Sequence, residues 1–187
     1  MTRTQKRKTT KRPSFIVNWR DVLDKKAGRY PDSDEEHGID APFDKHAGFS
    51  RIGVHFEVLK PGRRTSYPHA ERDEEEFVYV VAGEVDCWLD GHLHAMRAGD
   101  FVGFVDRTGV AHVIINNSKE DAHLIVGGEA SRQRSKVHYP LNPAQNRVFV
   151  AKGAHWSDCP KRELGSHDGL PDALRKQREK EKKASKK

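Results

Sequence analysis

The stretch EFVYVVAGEVDCWLDGHLHAMRAGDFVGFV, residues 76–105, decides the fold class of this 187-residue chain. It contains four short runs of apolar and β-branched residues, separated by turns built on Gly and Asp. Short runs with turn signals about every eight to twelve residues are typical of antiparallel sheets. No segment between the runs has the periodicity of an amphipathic helix. The stretch therefore predicts consecutive strands without intervening helices.

The same pattern extends to both sides of this stretch. Upstream, RIGVHFEVL (51–59) alternates, so that Phe56 and its apolar neighbours share one face while His55 and Glu57 share the other. Whichever face points outward is expected to lie mostly in solvent, and a cavity role for His55 and Glu57 is the alternative. Downstream, AHVIIN (111–116) and HLIVGGE (123–129) add further runs. Because closure removes exposed strand edges, we predict an all-β sandwich or small barrel.

The ends of the chain differ in composition from this central part. Residues 24–48 are rich in Asp, Gly, Pro and His, which predicts a long loop. The stretch 174–183 has enough helix formers for a frayed helix. The predicted boundaries are a basic disordered tail at 1–12, an N-terminal strand and long loop at 13–50, the barrel at 51–140, a C-terminal capping segment at 141–174 and a basic tail at 175–187.

The net charge of +6 is unevenly distributed. Residues 1–12 carry six basic and no acidic residues, and residues 175–187 carry eight basic and two acidic residues. The two tails therefore hold more positive charge than the whole chain, and the body between them is acidic. This excludes a basic nucleic-acid-binding fold, and any binding of nucleic acid is expected to be weak and to occur through the tails.

The two cysteines and the N-terminus bear on the compartment. Cys87 and Cys159 form no CxxC pair and no disulfide framework, which favours a reducing environment. No apolar run has the length of a membrane span. We expect a cytoplasmic protein, and KRKTTKR (6–12) leaves nuclear targeting open as the alternative.

Four side chains that can ligate a metal fall at the ends of predicted strands. His69 and Glu71 are two residues apart and share a face, Glu76 opens the next strand, and His112 opens a later one. If these strands are neighbours in a barrel, the four side chains converge at one end of its cavity. Imidazole nitrogen and carboxylate oxygen are ligands for divalent transition metals.

The runs PGRRTSYPHAERDEEEFVYVVAGE (61–84) and AGDFVGFVDRTGVAHVIIN (98–116) resemble the two motifs of the cupin superfamily. The matching positions are Gly62, His69, Glu76 and Gly83 in the first motif and Gly99, Gly109, His112 and Asn116 in the second. The resemblance covers residues 51–129. It implies a single double-stranded β-helix barrel, the cupin or jelly-roll fold, with a divalent transition metal inside it.

Six residues rather than five separate Gly62 from His69, and two positions depart from the family pattern in residue type. Glu71 stands where the second histidine is usual, and Arg107 stands where proline is usual in a second motif that is also two residues longer. Glu71 either serves as a fourth ligand beside His69, Glu76 and His112, or stays uncoordinated and acts as a catalytic general base. The resemblance leaves the identity of the expected metal open among Zn, Fe, Mn and Ni.

The resemblance implies two classes of function. The first is a metal-dependent enzyme of dioxygenase, isomerase or lyase type that acts on a small polar substrate. The alternative is a non-catalytic module that binds or senses a small molecule. By resemblance we also expect a homodimer, for which the apolar run SFIVNW (14–19) offers a surface.

The remaining candidates have structural interpretations. Three consecutive acids, Asp73, Glu74 and Glu75, are expected to form a solvated turn. His92 and His94 flank a turn and are expected to be exposed, and Trp156 is expected to pack in the capping segment. The aromatic residues expected in the core or cavity wall are Tyr67, Tyr79, Phe101 and Phe104.

Overall fold

The computed structural model describes residues 11–31, 33–130 and 135–184. Its strands are β1 (Ile39–Pro42), β2 (Ile52–Leu59), β3 (Ala70–Glu71), β4 (Glu76–Ala82), β5 (Glu84–Leu89), β6 (His92–Arg97), β7 (Phe101–Phe104), β8 (His112–Ile115), β9 (Ala122–Glu129) and β10 (Val137–His138). Its helices are α1 (Trp19–Val22), α2 (Phe43–Ala47), α3 (Pro143–Ala151) and α4 (Asp172–Ala184). The first ten and last three residues of the predicted tails lie outside the described residues.

Two antiparallel sheets form the barrel. The larger has the strand order β1-β2-β9-β4-β7, the smaller has the order β6-β5-β8, and β10 pairs with β3 in a short third ladder. The chain crosses from one main sheet to the other between β4 and β5, between β6 and β7, and again before and after β8. This is the double-stranded β-helix, and the prediction of an all-β barrel is confirmed.

Apolar side chains from both sheets fill the space between them. Successive side chains of β4 point to opposite faces of the sheet, so Val78 and Val80 are buried while Tyr79 and Val81 are exposed. Phe101 pairs with Tyr79 across β4 and β7 and is exposed on the same outer face. The expectation that Tyr79 and Phe101 lie in the core or cavity wall is therefore wrong. The buried cluster comprises Leu59, Val78, Val80, Val85, Cys87, Met96, Ile114, Ala122 and Leu124.

The region 13–50 differs from the predicted strand followed by a loop. Residues 14–18 are not a strand, and the helix α1 begins directly after them, with the Asn18 side chain accepting a hydrogen bond from the backbone N–H of Arg20 at 3.0 Å. The strand of this region is β1, inside the predicted loop, where it extends the larger sheet beside β2. Only Ala41 of its four residues is buried. Because so few of its side chains are buried, β1 lacks the apolar alternation by which a strand is recognised in a sequence.

The N-terminal segment covers the outer face of β2. Trp19 stacks on Phe56 with ring centroids 4.4 Å apart. Phe56 and Val58 are buried in a cluster with residues of α1, β1 and α2. The apolar face of β2 is thus buried outside the barrel, and His55 and Glu57 on its other face point into the barrel cavity. Of the two positions considered for His55 and Glu57, in solvent or in the cavity, the structure has them in the cavity.

The C-terminal segment covers the outer face of the smaller sheet. Trp156 is buried in a cluster with Trp88 and Val113, and the indole N–H of Trp88 donates to the backbone carbonyl of His167 at 2.8 Å. The packing predicted for Trp156 is confirmed. The predicted terminal helix is present as α4, which has no buried residue. Among the described residues, no helix is long and apolar enough to cross a membrane.

Candidate metal centre

Three of the four predicted ligands converge at one place in the barrel. His69 lies immediately before β3 and forms an antiparallel bridge with His112 at the start of β8, while Glu76 begins β4 in the opposite sheet. One potential ligand atom from each residue lies within 4.8 Å of the others. Residues from separate strands of both sheets therefore form the group.

The distances between these atoms suit a common ion. His112 Nε2 lies 3.0 Å from Glu76 Oε2, and His69 Nε2 lies 3.7 Å from the same oxygen. Ligands bound at about 2.1 Å around a tetrahedral or octahedral metal are separated by about 3.0–3.5 Å. The three donors need only small shifts to meet one divalent cation.

Hydrogen bonding fixes the orientation of the His69 ring. Its Nδ1 lies 2.8 Å from the backbone carbonyl of Tyr67, and since that oxygen can only accept, Nδ1 carries the hydrogen. When a metal displaces the proton on Nε2, the ring presents the Nε2 lone pair to the group. A second partner that holds one ring nitrogen and leaves the other free is typical of metal-binding histidines.

The environment shifts the pKa of each group. Burial alone would lower the pKa of His69, but the carboxylates of Glu76 and Glu71 outweigh burial and raise it to about 9. Burial likewise opposes ionisation of Glu76, yet His112 and His69 hold the Glu76 pKa well below its usual range. Burial lowers the pKa of His112. Glu76 is thus an anion that attracts protons or cations to this point.

Glu71 lies beside the three donors rather than among them. Its Oε1 is 3.9 Å from His69 Nε2, and its Oε2 accepts a hydrogen bond from Ser135 Oγ at 2.8 Å. Burial and the nearby acids raise the pKa of Glu71, although His69 opposes them. The structure therefore brings His69, Glu76 and His112 together and leaves Glu71 in the adjacent position.

The acids that follow Glu71 are less solvated than expected. Glu75 is exposed, but Asp73 and Glu74 are partly buried. Burial and the charge of Glu71 raise the pKa of Glu74 to about 7. The expected exposure is confirmed for Glu75, while Asp73 and Glu74 are only partly exposed. The predicted exposure of His92 and His94 is confirmed.

The donor group faces a cavity of about 360 Å³ inside the barrel. Phe104 forms part of its wall and stacks on the His112 ring, with centroids 3.6 Å apart. The polar lining comes largely from Arg29, Tyr30, His37, Asp40, His55, Glu57, Thr65, Ser66, His69, Glu76 and His112. A space of this size accommodates a small organic molecule next to the donors.

A second group on the cavity wall was not recognised from sequence. Asp40, His55 and Glu57 each offer a donor atom within 4.8 Å of the others. The alternation along β2 shows that His55 and Glu57 share a face, but it does not show which face of β2 points into the barrel. That depends on Trp19, which stacks on Phe56 on the opposite face. Asp40 gave no signal because it lies in the segment that was predicted to be a loop.

The fold and the donor group define a class, namely small β-barrel proteins whose cavity wall carries a histidine and carboxylate cluster. Residues 55–128 match the cupin domain family. These 74 of the chain's 187 residues form a cupin domain, the domain type of the cupin superfamily. Members of this superfamily typically bind divalent metals, and the donor set of His69, Glu76 and His112 fits such an ion.

Solved structures support the same assignment of fold. A sugar phosphate isomerase of the cupin superfamily from Silicibacter pomeroyi is 24% identical, with a TM-score of 0.59 over 64% of this chain and 78% of that chain. A protein provisionally assigned as a sugar phosphate isomerase from Acidithiobacillus ferrooxidans is 23% identical, with a TM-score of 0.56 over 68% and 81% of the two chains.

A third similar structure is the polyketide cyclase RemF from Streptomyces resistomycificus. It is 18% identical, with a TM-score of 0.52 over 68% of this chain and 84% of that chain. No curated protein sequence matches this chain significantly. At these identities the comparisons establish the barrel fold, and they do not assign a substrate or a reaction.

Proposed function

We propose that this cupin domain binds one divalent transition metal through His69, Glu76 and His112 and is a metal-dependent enzyme acting on a small polar molecule. The observation that carries the proposal is the convergence of two imidazole nitrogens and one carboxylate oxygen on the wall of the barrel cavity. Three protein ligands leave positions open for a substrate, which is the usual arrangement in catalytic rather than structural metal sites.

The metal would supply Lewis-acid chemistry toward a carbonyl or carboxylate oxygen of the substrate, or bind O2 if it is Fe(II). The protein supports this role through fixed ligand orientation. The Tyr67 carbonyl holds the His69 ring, and Phe104 holds the His112 ring by stacking. The reaction class that we propose is isomerase, lyase or dioxygenase.

A basic depression next to the cavity favours a substrate with an anionic group. Arg29 lines the cavity and also borders a neighbouring surface depression that includes Lys25, Lys26 and Arg63. In this depression Glu36 is the acidic partner, lying 2.5 Å from Arg29 and also pairing with Arg63. The basic groups outnumber it, so this depression beside the cavity attracts anions. The similarity to a sugar phosphate isomerase agrees with a small polar anion as ligand.

Glu71 is the proposed general base of this reaction. Its carboxylate lies next to the donor group without joining it, and its raised pKa suits a proton acceptor. The Ser135 hydroxyl hydrogen bond holds it in place. A base role requires that Glu71 be dispensable for metal binding.

Metal analysis of the purified protein tests the proposal. We expect His69, Glu76 and His112 to bind about one equivalent of a transition metal per chain. We expect His112→Gln to lose that equivalent. His92→Gln is the matched control, because His92 is exposed outside the cavity. Retention of the same metal content by His112→Gln would contradict the proposed site.

Turnover is tested separately, with a panel of small anionic carbonyl and sugar compounds. We expect the wild-type protein to convert at least one compound and His112→Gln to convert none. A compound that stabilises the protein at saturation but is never converted would favour the alternative, a non-catalytic sensor.

The partners remain predictions. The homodimer is expected to use the run 14–19, in which Phe15 and Ile16 are exposed. Light scattering of the wild-type protein and of Phe15→Ser tests this, and a wild-type monomer at micromolar concentration would contradict it. Any binding of nucleic acid through the basic tails is expected to disappear in moderate salt.

A further inference from the structure

The cavity contains a second cluster of donors on the wall formed by β1 and β2. Asp40 lies directly opposite Glu57 across the antiparallel pair, and His55 is two residues before Glu57 on the same face. All three side chains line the cavity that also contains His69, Glu76 and His112. The pairing register of two strands therefore brings two carboxylates and one imidazole together.

The contacts within this cluster are too long to satisfy its members. His55 Nε2 lies 3.4 Å from Glu57 Oε2 and 3.7 Å from Asp40 Oδ1. Charge-assisted hydrogen bonds between such groups are normally about 2.7–2.9 Å long. A single ring nitrogen faces two carboxylates, and neither contact is short. The donors surround a common point without bonding well to one another.

Glu57 carries the strongest indication of a missing ligand. Its side chain is only 5% exposed, and its Oε1 has no hydrogen-bond partner among the residues that the structure describes. Burial raises the pKa of Glu57, although His55 opposes that shift. A buried carboxylate oxygen without a partner destabilises the fold, and more so when it is charged. A cation bound at this cluster would compensate that cost.

The backbone next to Glu57 is shaped to admit its carboxylate. A Cβ atom placed on Gly38 would fall on Glu57 Oε1, so the absence of a side chain there provides the space that the carboxylate occupies. Asp40 is partly open to solvent, with 43% of its side chain exposed, which gives an ion a route to the cluster.

We propose that Asp40, His55 and Glu57 form a second divalent-cation site in the same cavity. Its two carboxylates and one imidazole are a harder donor set than the two imidazoles and one carboxylate of His69, Glu76 and His112. Carboxylate-rich sets suit Mn²⁺ and imidazole-rich sets suit Zn²⁺, so Mn²⁺ is the ion with which we test this site. A cation here would also turn an acidic wall of the cavity into one that attracts anions.

The test counts Mn²⁺ on the full-length protein after removal of metals with a chelator. Equilibrium dialysis against Mn²⁺, read by elemental analysis and by electron paramagnetic resonance of free Mn²⁺, is expected to give two ions per wild-type chain. Glu57→Gln and His112→Gln are each expected to bind one ion, and the double variant none. The loss at each changed site should exceed about tenfold in affinity.

Two further variants keep the outcome interpretable. Asp40→Asn changes a partly exposed proposed ligand without disturbing the core, and this variant is also expected to bind one ion. It replaces Glu57→Gln in the test if Glu57→Gln folds poorly. Asp24→Asn is the matched control, because Asp24 is exposed and near Asp40 yet is not a member of the cluster, and it should bind two ions.

A wild-type chain that binds one Mn²⁺ at saturation, with that ion lost in His112→Gln, would overturn the second site. So would retention of two ions by both Glu57→Gln and Asp40→Asn. Because His112→Gln removes the other ion, failure of this inference is distinguishable from failure of the proposed function.

Discussion

Phe104 lies flat on His112, with ring centroids 3.6 Å apart and planes 5° from parallel. Phe104 ends β7 of the larger sheet and His112 begins β8 of the smaller one. The stacking therefore couples the two sheets at the donor group. It also restricts the ring of a proposed metal ligand to one plane.

Phe104→Ala should weaken metal binding without removing a ligand. Loss of the stacking partner frees the His112 ring, and changes around a ligand typically cost 10- to 100-fold in metal affinity, so we expect about tenfold. Titration with Mn²⁺ or Zn²⁺ measures the effect. Phe101→Ala is the control, since Phe101 is exposed and stacks on Phe77 instead. Equal affinities in the two variants would show that stacking does not position His112.

Glu71→Gln separates the two roles considered for Glu71. As a base outside the donor group, Glu71 can be replaced with full retention of metal, while turnover falls by about 10²–10⁴-fold. Metal content and turnover of the same sample measure this. Glu76→Gln is the matched comparison and should lose the metal. If Glu71→Gln also loses the metal, Glu71 is a fourth ligand and not a free base.

The barrel was predictable because its signals are local. The alternation of apolar residues and the turn residues in 51–129 indicate where the strands lie. The chain bends at Gly83, and the geometry of this bend requires glycine. Its φ is 84°, and a Cβ there would come within 3.0 Å of the Ala122 backbone. Arg107 has a φ of 58°, which proline cannot adopt, so this departure from the family motif follows from loop conformation.

The incomplete part of the site prediction depends on contacts between distant residues. Glu71 is turned toward Ser135, which is 64 residues away in sequence. His55 and Glu57 face the cavity because Trp19 covers Phe56 on the opposite side of β2. Neither relationship leaves a periodic signal near the residues concerned. Sequence alone therefore identified the three converging donors but not the second cluster.

Asn116→Ala should destabilise the barrel through three lost backbone partners. The Asn116 amide is fully buried and donates to the carbonyls of Leu59 and Glu120 at 2.7 and 2.9 Å. Its Oδ1 also accepts from the backbone N–H and hydroxyl of Ser118. Leaving these groups unsatisfied should lower the free energy of unfolding by about 2–4 kcal/mol.

Urea denaturation with a constant m-value measures this loss. Asn117→Ala is the control, because Asn117 bonds Asp86 and the N–H of Asp172 in a more exposed setting, and it should cost about 1 kcal/mol. Similar losses in both variants would show that the buried position of Asn116 adds nothing.

The two free cysteines should react with thiol reagents at very different rates. Burial raises the pKa of Cys87 to about 12, and its side chain is almost inaccessible. Cys159 is partly exposed, and burial together with Asp90 and Asp158 raises its pKa to about 11. About one Cys159 thiol in a thousand is then ionised at pH 8, and its labelling rate should rise about tenfold per pH unit between pH 7 and 9.

Mass spectrometry of protein treated with iodoacetamide follows each cysteine separately. Cys87 should be labelled only after denaturation, and Cys159→Ser should abolish native labelling, while Cys87→Ser should leave it unchanged. Because the thiolate is the reactive form, a Cys159 rate that stays constant from pH 7 to 9 would mean that its pKa lies below this range. Cys87 packs with Leu59 and Leu124 in one buried cluster, so we expect the core between the two sheets to stay closed. Native labelling of Cys87 at the rate of Cys159 would show instead that this core opens readily.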